Sequence, residues 1–581
     1  MASQASFLSS ASSFTTQIIS TQKPPFSRHF PQNISCKSNE IDGNNVQQNK
    51  SSSGRRDLLI TLGGMYGAAT SFAVDPRLAI ANPIQAPDLS KCSPAEIPEG
   101  GTRPNCCPPF NSTIIDFVPP TYGPLRVRPA AHLVDDKYLK KYEKAMQLMR
   151  ALPADDPRNF MQQATIHCAH CDGALPQIGE PTADPLQVHH SWIFFPWHRL
   201  YLYFHERILG KLIGDDSFAI PFWNWDTPDG MVMPAFYNNK SSALYNKNRN
   251  PKHQPPVTID LDGKQNSDIP KYELIEDNLI TMYRQMISNG KTAKLFMGEP
   301  YRAGDAASPG AGSLENVPHD TVHDWIGNPA NNNSEDMGAL YSSARDPIFY
   351  AHHANVDRLW SVWKTLGGKR RDFKDNDWLD ASFLFYDENA QLVKVKVRDC
   401  LDSEKLGYKY QDVKNLWLKK RPKPTAASAA TNRVSKKKAP KVLGEPVFPI
   451  TLNKPVSVFV KRPKKGRSQK EKEDEEEVLL VKDIVVSRYE FVKFDVYINS
   501  PEEEKLRPSA SEFAGCFVNL PHKHVHGKKV EDLKTNLRLG ITDLLEDLGA
   551  EDDDSVVVTL LPRSGNGDKV KVGGLRIEFS S

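Results

Sequence analysis

A chain of 581 residues is too long for one core and implies two or three folded units with appended segments. Apolar residues at 39% and charged residues at 25% make up an ordinary soluble globular composition. The net charge of +3 argues against nucleic acid as a main partner, and no apolar run reaches the ~18 residues that a permanent membrane span needs.

Residues 1–50 are rich in Ser, Thr, Gln and Asn, with Glu40 and Asp42 as the only acids, which reads as a transit peptide. Arg55-Arg56 then precede an apolar stretch from Leu58 to Val74, and Ala79-Ile80-Ala81 closes it as a small-residue cleavage site. Two signals in series predict import into a chloroplast followed by twin-arginine transfer to the thylakoid lumen. The leader is expected to span 1–81, with the folded chain starting at Asn82. Cys92, Cys106, Cys107, Cys168 and Cys171 cluster after it, whereas Cys36, Cys400 and Cys516 lie apart. Clustered cysteines behind a leader suggest disulfides made in an oxidising space; the alternative is buried thiols in a reducing one.

From Ala86 to Pro129 the chain reads as extended coil, rich in Pro and Gly. Helical patterns follow over Tyr138–Leu152, Ser191–Leu212, Tyr272–Ile287, His319–Ile326 and Pro347–Lys364, with long loops such as Asp226–Ile269 between them. Lys419 to Lys441 is basic and nearly devoid of large apolar residues, as expected of an exposed, protease-accessible linker. Beyond Val442 the period becomes two, in Val456/Val458/Val460, Val478–Val486, Phe491–Ile498 and Ser555–Leu561, which predicts a β-sandwich. Ser564-Gly565-Asn566-Gly567-Asp568 signals a hairpin between two of these strands. Lys461–Lys472 followed by Glu473–Glu477 reads as a solvated loop, and His522, His524 and His526 as a surface cluster.

Nine of the sixteen histidines fall in short windows: His167 and His170; His189, His190 and His198; His319 and His323; His352 and His353. His319 and His323, four apart on a helix, can share one metal, and Asp320 replaces the Glu of a zincin motif. All-imidazole sites suit copper, which must change oxidation state and still meet dioxygen. Two such sites facing each other across a four-helix bundle would hold O2 between them.

The segments His189-His190-Ser191-Trp192-Ile193-Phe194-Phe195-Pro196-Trp197-His198-Arg199 and Asp346-Pro347-Ile348-Phe349-Tyr350-Ala351-His352-His353-Ala354-Asn355-Val356-Asp357-Arg358 strongly resemble the copper signatures of plant polyphenol oxidases, the type-3 copper catechol oxidases and tyrosinases. Asp377-Trp378-Leu379, the pair Tyr408 and Tyr410, and Lys493-Phe494-Asp495-Val496 extend the resemblance toward the C-terminus. It implies a mainly α catalytic domain over 82–418, including a middle region over 375–418, then a linker over 419–445 and a C-terminal all-β domain over 446–581 that covers the copper pocket until a protease cuts the linker. It implies two copper ions, one held by His167, His189 and His198 and the other by His319, His323 and His353. Adjacent histidines are assigned by the family spacing, His189 lying nine residues before His198 and His353 one helical turn before Asp357. It further implies a Cys171–His189 thioether, disulfides Cys92–Cys107 and Cys106–Cys168, Glu315 as a water-orienting acid and Leu340 as the gate over the second copper. The implied reaction oxidises catechols to o-quinones and reduces O2 to water. Asp320, where the family often has Asn, leaves monophenol hydroxylation open. Alternatives are a specialised phenol oxidase such as an aurone-forming enzyme, and a haemocyanin-like oxygen carrier.

Overall fold

The computed structural model describes residues 82–95, 105–120, 125–180, 183–263, 269–422, 447–500, 507–522 and 532–580. The leader, Cys36, most of the linker, His524 and His526 lie outside the described residues. The helical half is built on α1 (Asp136–Ala151), α2 (Phe160–Cys171), α3 (Phe194–Ile213), α4 (Lys271–Tyr283), α5 (Asp320–Ile326) and α6 (Ile348–Thr365). Helix α1 starts where the Asp135 carboxylate accepts the Tyr138 N–H, and it buries Tyr142, Ala145, Met146 and Met149 at helical spacing. The Asn159 side chain caps α2 in the same way by accepting from the Met161 N–H. Helix α3 ends at Gly214, whose φ of 66° takes the left-handed cap that a side chain would resist. It packs on α1 and α6 and is buried on nearly every side, including Trp197, Tyr201 and Arg199.

The coil before α1 carries two short strands, β1 (Ile114–Asp116) and β2 (Arg126–Arg128). They pair in parallel with β4 (Leu392–Lys396) and β5 (Tyr408–Tyr410), and β3 (Ser382–Tyr386) pairs antiparallel with β4. These pairings lock the segments before and after the bundle together. Beneath them the Asp357 carboxylate accepts from Arg199 Nε (2.5 Å), Arg128 Nη1 (3.2 Å), Tyr408 Oη (2.6 Å) and Tyr410 Oη (2.5 Å). Burial pushes this carboxyl up, but Arg199 and Arg128 hold it below its ordinary value.

The C-terminal half is two four-stranded antiparallel sheets. One has the order β10-β9-β12-β7, from Phe513–Asn519, Val492–Ile498, Ser555–Pro562 and Val456–Lys461. The other has the order β11-β8-β13-β6, from Asp532–Gly540, Glu476–Ser487, Lys571–Ser580 and Ile450–Thr451. Their inner faces share one core containing Val458, Leu479, Val481, Phe494, Val496, Val558 and Ile577. The expected hairpin at Ser564–Asp568 is absent: β12 and β13 lie in different sheets, so this turn crosses between layers. The expected solvated loop at 461–477 is also corrected. Ser468 and Glu471 form a capping box that starts a helix over Gln469–Asp474, and Glu477 is buried in a two-bond pair with Arg462.

Candidate metal centre

The histidines arrive on different elements: His167 on α2, His198 on α3, His323 on α5 and His353 on α6. His189 comes from the loop before α3, and His319 ends a wide turn, Glu315–His319, that leads into α5. Ring donor atoms of His167, His189 and His198 lie within 4.8 Å of one another, and so do those of His319, His323, His352 and His353. The two groups face each other, with the His198 and His353 rings stacked at 4.4 Å. Phe349 lies 4.1 Å from His353 and 4.8 Å from His167, while Phe194 lies 4.6 Å from His198 and 4.7 Å from His319. These aromatic walls keep the space between the groups apolar.

Neighbouring groups orient the rings. The Nδ1 of His198 meets the Phe194 carbonyl (2.9 Å) and that of His323 the Met337 carbonyl (2.9 Å). The Nδ1 of His319 meets the Glu315 carbonyl (3.2 Å) and the Asp320 carboxylate (2.9 Å). A ring that donates from Nδ1 presents the bare lone pair of Nε2, as metal-ligating imidazoles do. The Nε2 atoms of His167, His189, His198 and His319 are buried without a hydrogen-bond partner. The Nε2 atoms of His323 and His353 stand 3.2 Å apart. Two metal–nitrogen bonds of about 2.0 Å at a tetrahedral angle span roughly 3.3 Å, so this pair has the spacing of ligands on one ion. Burial, with repulsion among the rings, holds His167, His189, His198 and His353 well below their ordinary pKa, and His323 is pulled down to about 3. Neutral imidazole is the form that binds metal.

His352 also belongs to the second group, but its chemistry differs. Trp225 Nε1–H, a donor only, points at His352 Nδ1 at 3.1 Å. The proton of neutral His352 therefore sits on Nε2, which has no lone pair left for an ion. His190 turns away from the first group. At φ 58° its N–H donates to Glu315 Oε1 (2.5 Å) and its ring lies 3.6 Å from Asp320 Oδ2. His170 and His205 are buried outside both groups.

Glu315 is fully buried. Burial and the Asp320 carboxylate push its pKa well above the ordinary value, against the pull of backbone N–H groups from His190, Gly312 and Ser191. Asp320 is pushed up by burial, but its bonds to His190 and His319 prevail and bring it to about 2. Leu340 is buried, with its carbonyl facing the His167 ring. Cys92 is joined to Cys107 and Cys106 to Cys168. Cys171 is buried outside both disulfides. Gln187 links it to His189, donating to the Cys171 carbonyl (2.9 Å) and accepting from the His189 N–H (2.9 Å).

Two residues of the β half also enter the helical half. Leu520 packs within the helical core, and His522 is buried with its ring 5.7 Å from His190, not on the surface as its alternation with His524 and His526 suggests. Local sequence carries no signal for this, because the face that buries His522 comes from the helical half.

Family models match three stretches: the common central domain of tyrosinase over 157–366, the polyphenol oxidase middle domain over 372–423 and the chloroplastic polyphenol oxidase C-terminal domain over 448–579. The chain is 53% identical to a chloroplastic polyphenol oxidase of Malus domestica over 99% of this chain and 96% of that protein. It is 50% identical to an aureusidin synthase of Antirrhinum majus over 90% of this chain and 93% of that one. The solved structure of latent apple tyrosinase superposes with a TM-score of 0.75 at 54% identity, covering 81% of this chain and all of that one.

Proposed function

The chain belongs to the plant polyphenol oxidases, and from that premise we propose that it oxidises o-diphenols to o-quinones at a type-3 pair of copper ions, two catechols being consumed for each O2 reduced to two waters. The observation that carries this reading is the pair of facing imidazole groups, in which the Nε2 atoms of His167, His189, His198 and His319 are buried without a hydrogen-bond partner. We assign His167, His189 and His198 to one copper and His319, His323 and His353 to the other. The coppers, when bound, supply the redox chemistry by passing electrons from the diphenol to O2. The protein's part is to hold the six rings, exclude water with Phe194, Phe349 and Trp197, and manage protons. Glu315, its carboxyl raised and its Oε2 without a hydrogen-bond partner, is suited to holding a water and taking a phenolic proton. Asp320, which binds His319, stands where the family often has Asn and leaves monophenol hydroxylation open. Leu340 is assigned as the gate and Cys171 as the thioether partner of His189, which Gln187 keeps beside it.

The unit over 446–581 is read as a cover. It is bound to the helical half by Lys493 Nζ on Asp262 (3.2 Å), by Lys291 Nζ on Asp543 (2.6 Å), and by Arg507 on Asp277 (2.6 Å). A tether keeps such a cover at an effective concentration on the order of millimolar, so even modest docking stays closed. A protease acting in the linker over 419–445 would release it. Among the described residues no helix is long and apolar enough to cross a membrane. Relatives are named chloroplastic, and the Arg55-Arg56 signal supports the thylakoid lumen as the destination. The aureusidin synthase relative supports a second reading, in which the chain is a specialised, aurone-forming phenol oxidase that differs only in substrate. The test is O2 uptake by copper-loaded protein with catechol, before and after trypsin cuts the linker. Severalfold faster uptake after cleavage is expected. No uptake in either state would overturn the oxidase reading, and equal uptake in both would overturn the cover.

A further inference from the structure

The turn Glu315–His319 serves two domains at once. Its first residue carries the raised carboxyl, and the carbonyl of that residue orients the His319 ring. Between them the backbone leaves helical geometry at Val317 (φ −147°, ψ 129°), which turns Asn316 and Val317 outward toward the β half. There the Asn316 amide behaves like a strand residue. Its Nδ2–H donates to the Cys516 carbonyl (2.6 Å), and its Oδ1 accepts the Val518 N–H (2.9 Å). Strand β10 is at the edge of its sheet, paired on its other side with β9, so this amide caps an edge that would otherwise need a partner. Val317 is fully buried in a cluster with Tyr497, Phe513, Cys516, Val518 and Leu561, all of the β half.

A plug needs only to fill the mouth of a pocket. This contact grips the backbone segment from which Glu315 and His319 project. We infer that Asn316 is a positioning residue through which the docked β domain fixes the Glu315–His319 turn, and with it the hold of His319 on the second copper. The inference rests on the reading of the β domain as a docked cover. Removing the amide takes two hydrogen bonds from a buried turn and lets it open locally while the rest of the interface persists. The His319 ring, oriented by that turn's own carbonyl, then loses part of its support. Outer partners of metal ligands typically carry 10–100-fold in affinity.

The test follows copper loss to a chelator from copper-loaded full chain, comparing wild type with Asn316→Ala and Asn316→Asp. The Asp variant keeps the acceptor for Val518 and loses the donor to Cys516, so it serves if the Ala variant folds poorly. One of the two coppers should leave about tenfold faster in the variants, with elution volume and linker cleavage pattern unchanged. Unchanged release in both variants, or equal acceleration of both coppers, overturns the inference. Catechol turnover of wild type before and after linker cleavage is measured in parallel. If turnover does not rise, the cover reading fails; if it rises while copper release is unchanged in the variants, only the role of Asn316 fails.

Discussion

His352 and His353 are sequence neighbours on α6, yet Trp225 takes the Nδ1 of one while the Nε2 of the other faces His323. His353→Ala should therefore lose one copper and catechol oxidation, whereas His352→Ala should keep both coppers and lose about 1–3 kcal/mol of stability by leaving the Trp225 N–H unpaired. Copper content per chain and a denaturant midpoint read both outcomes. For Glu315→Gln the carboxyl that takes a proton is gone while the backbone N–H acceptor remains. Turnover of a monophenol should fall on the order of 100-fold and that of catechol, which ionises readily on metal, by much less. Equal losses would reduce Glu315 to a structural role. The two histidine groups are legible in the sequence from their short windows, such as the three residues between His319 and His323, while the choice within adjacent pairs such as His189 and His190 rests on the family spacing. The Trp225 contact and the burial of His522 are not legible, since each partner sits on a distant element.

At the scale of elements, α2 gives no periodic signal although it carries His167. Gln163, His167, His170 and Cys171 are buried together with Phe160 and Ile166, while the apolar Met161 is exposed, so polar and apolar residues do not segregate into a pattern. The strands β7, β8, β9 and β12 are legible in the sequence, but which sheet each joins is not, because turn chemistry at Ser564–Asp568 is the same for a hairpin and for a crossing between layers. The network under α3 and α6 yields a prediction of its own. Asp357→Asn removes the charge facing Arg128 and Arg199 in a dry site. Breaking one side of a buried ion pair costs about 3–5 kcal/mol, so the variant should unfold at clearly lower denaturant with its copper ligands intact in sequence. A shift below ~1 kcal/mol would mean that water reaches the network.

Across the whole molecule, the seam between the two halves contains a buried base. His522 faces His190, Arg488 and Asp320, and burial first, then His190 and Arg488, pulls its pKa down to about 3. Exposed by opening, it would titrate near 6.5, so below about pH 6.5 the open form binds more protons than the docked one. Acid therefore weakens docking, by up to about tenfold per pH unit, and neutral pH restores it. The ratio of catechol turnover in uncleaved to cleaved chain should rise as pH falls from about 6.5 to 4, and His522→Asn should flatten that rise. The burial of the six imidazoles, each at most 2% exposed, also bears on timing. An ion cannot reach them through a closed interior, so in the folded chain copper uptake waits on an opening event. Its rate should climb with copper concentration only until it equals the opening rate and then stay flat. Such a plateau would make metallation a clock for the breathing of the two halves, and it would favour copper arriving before the β domain has closed.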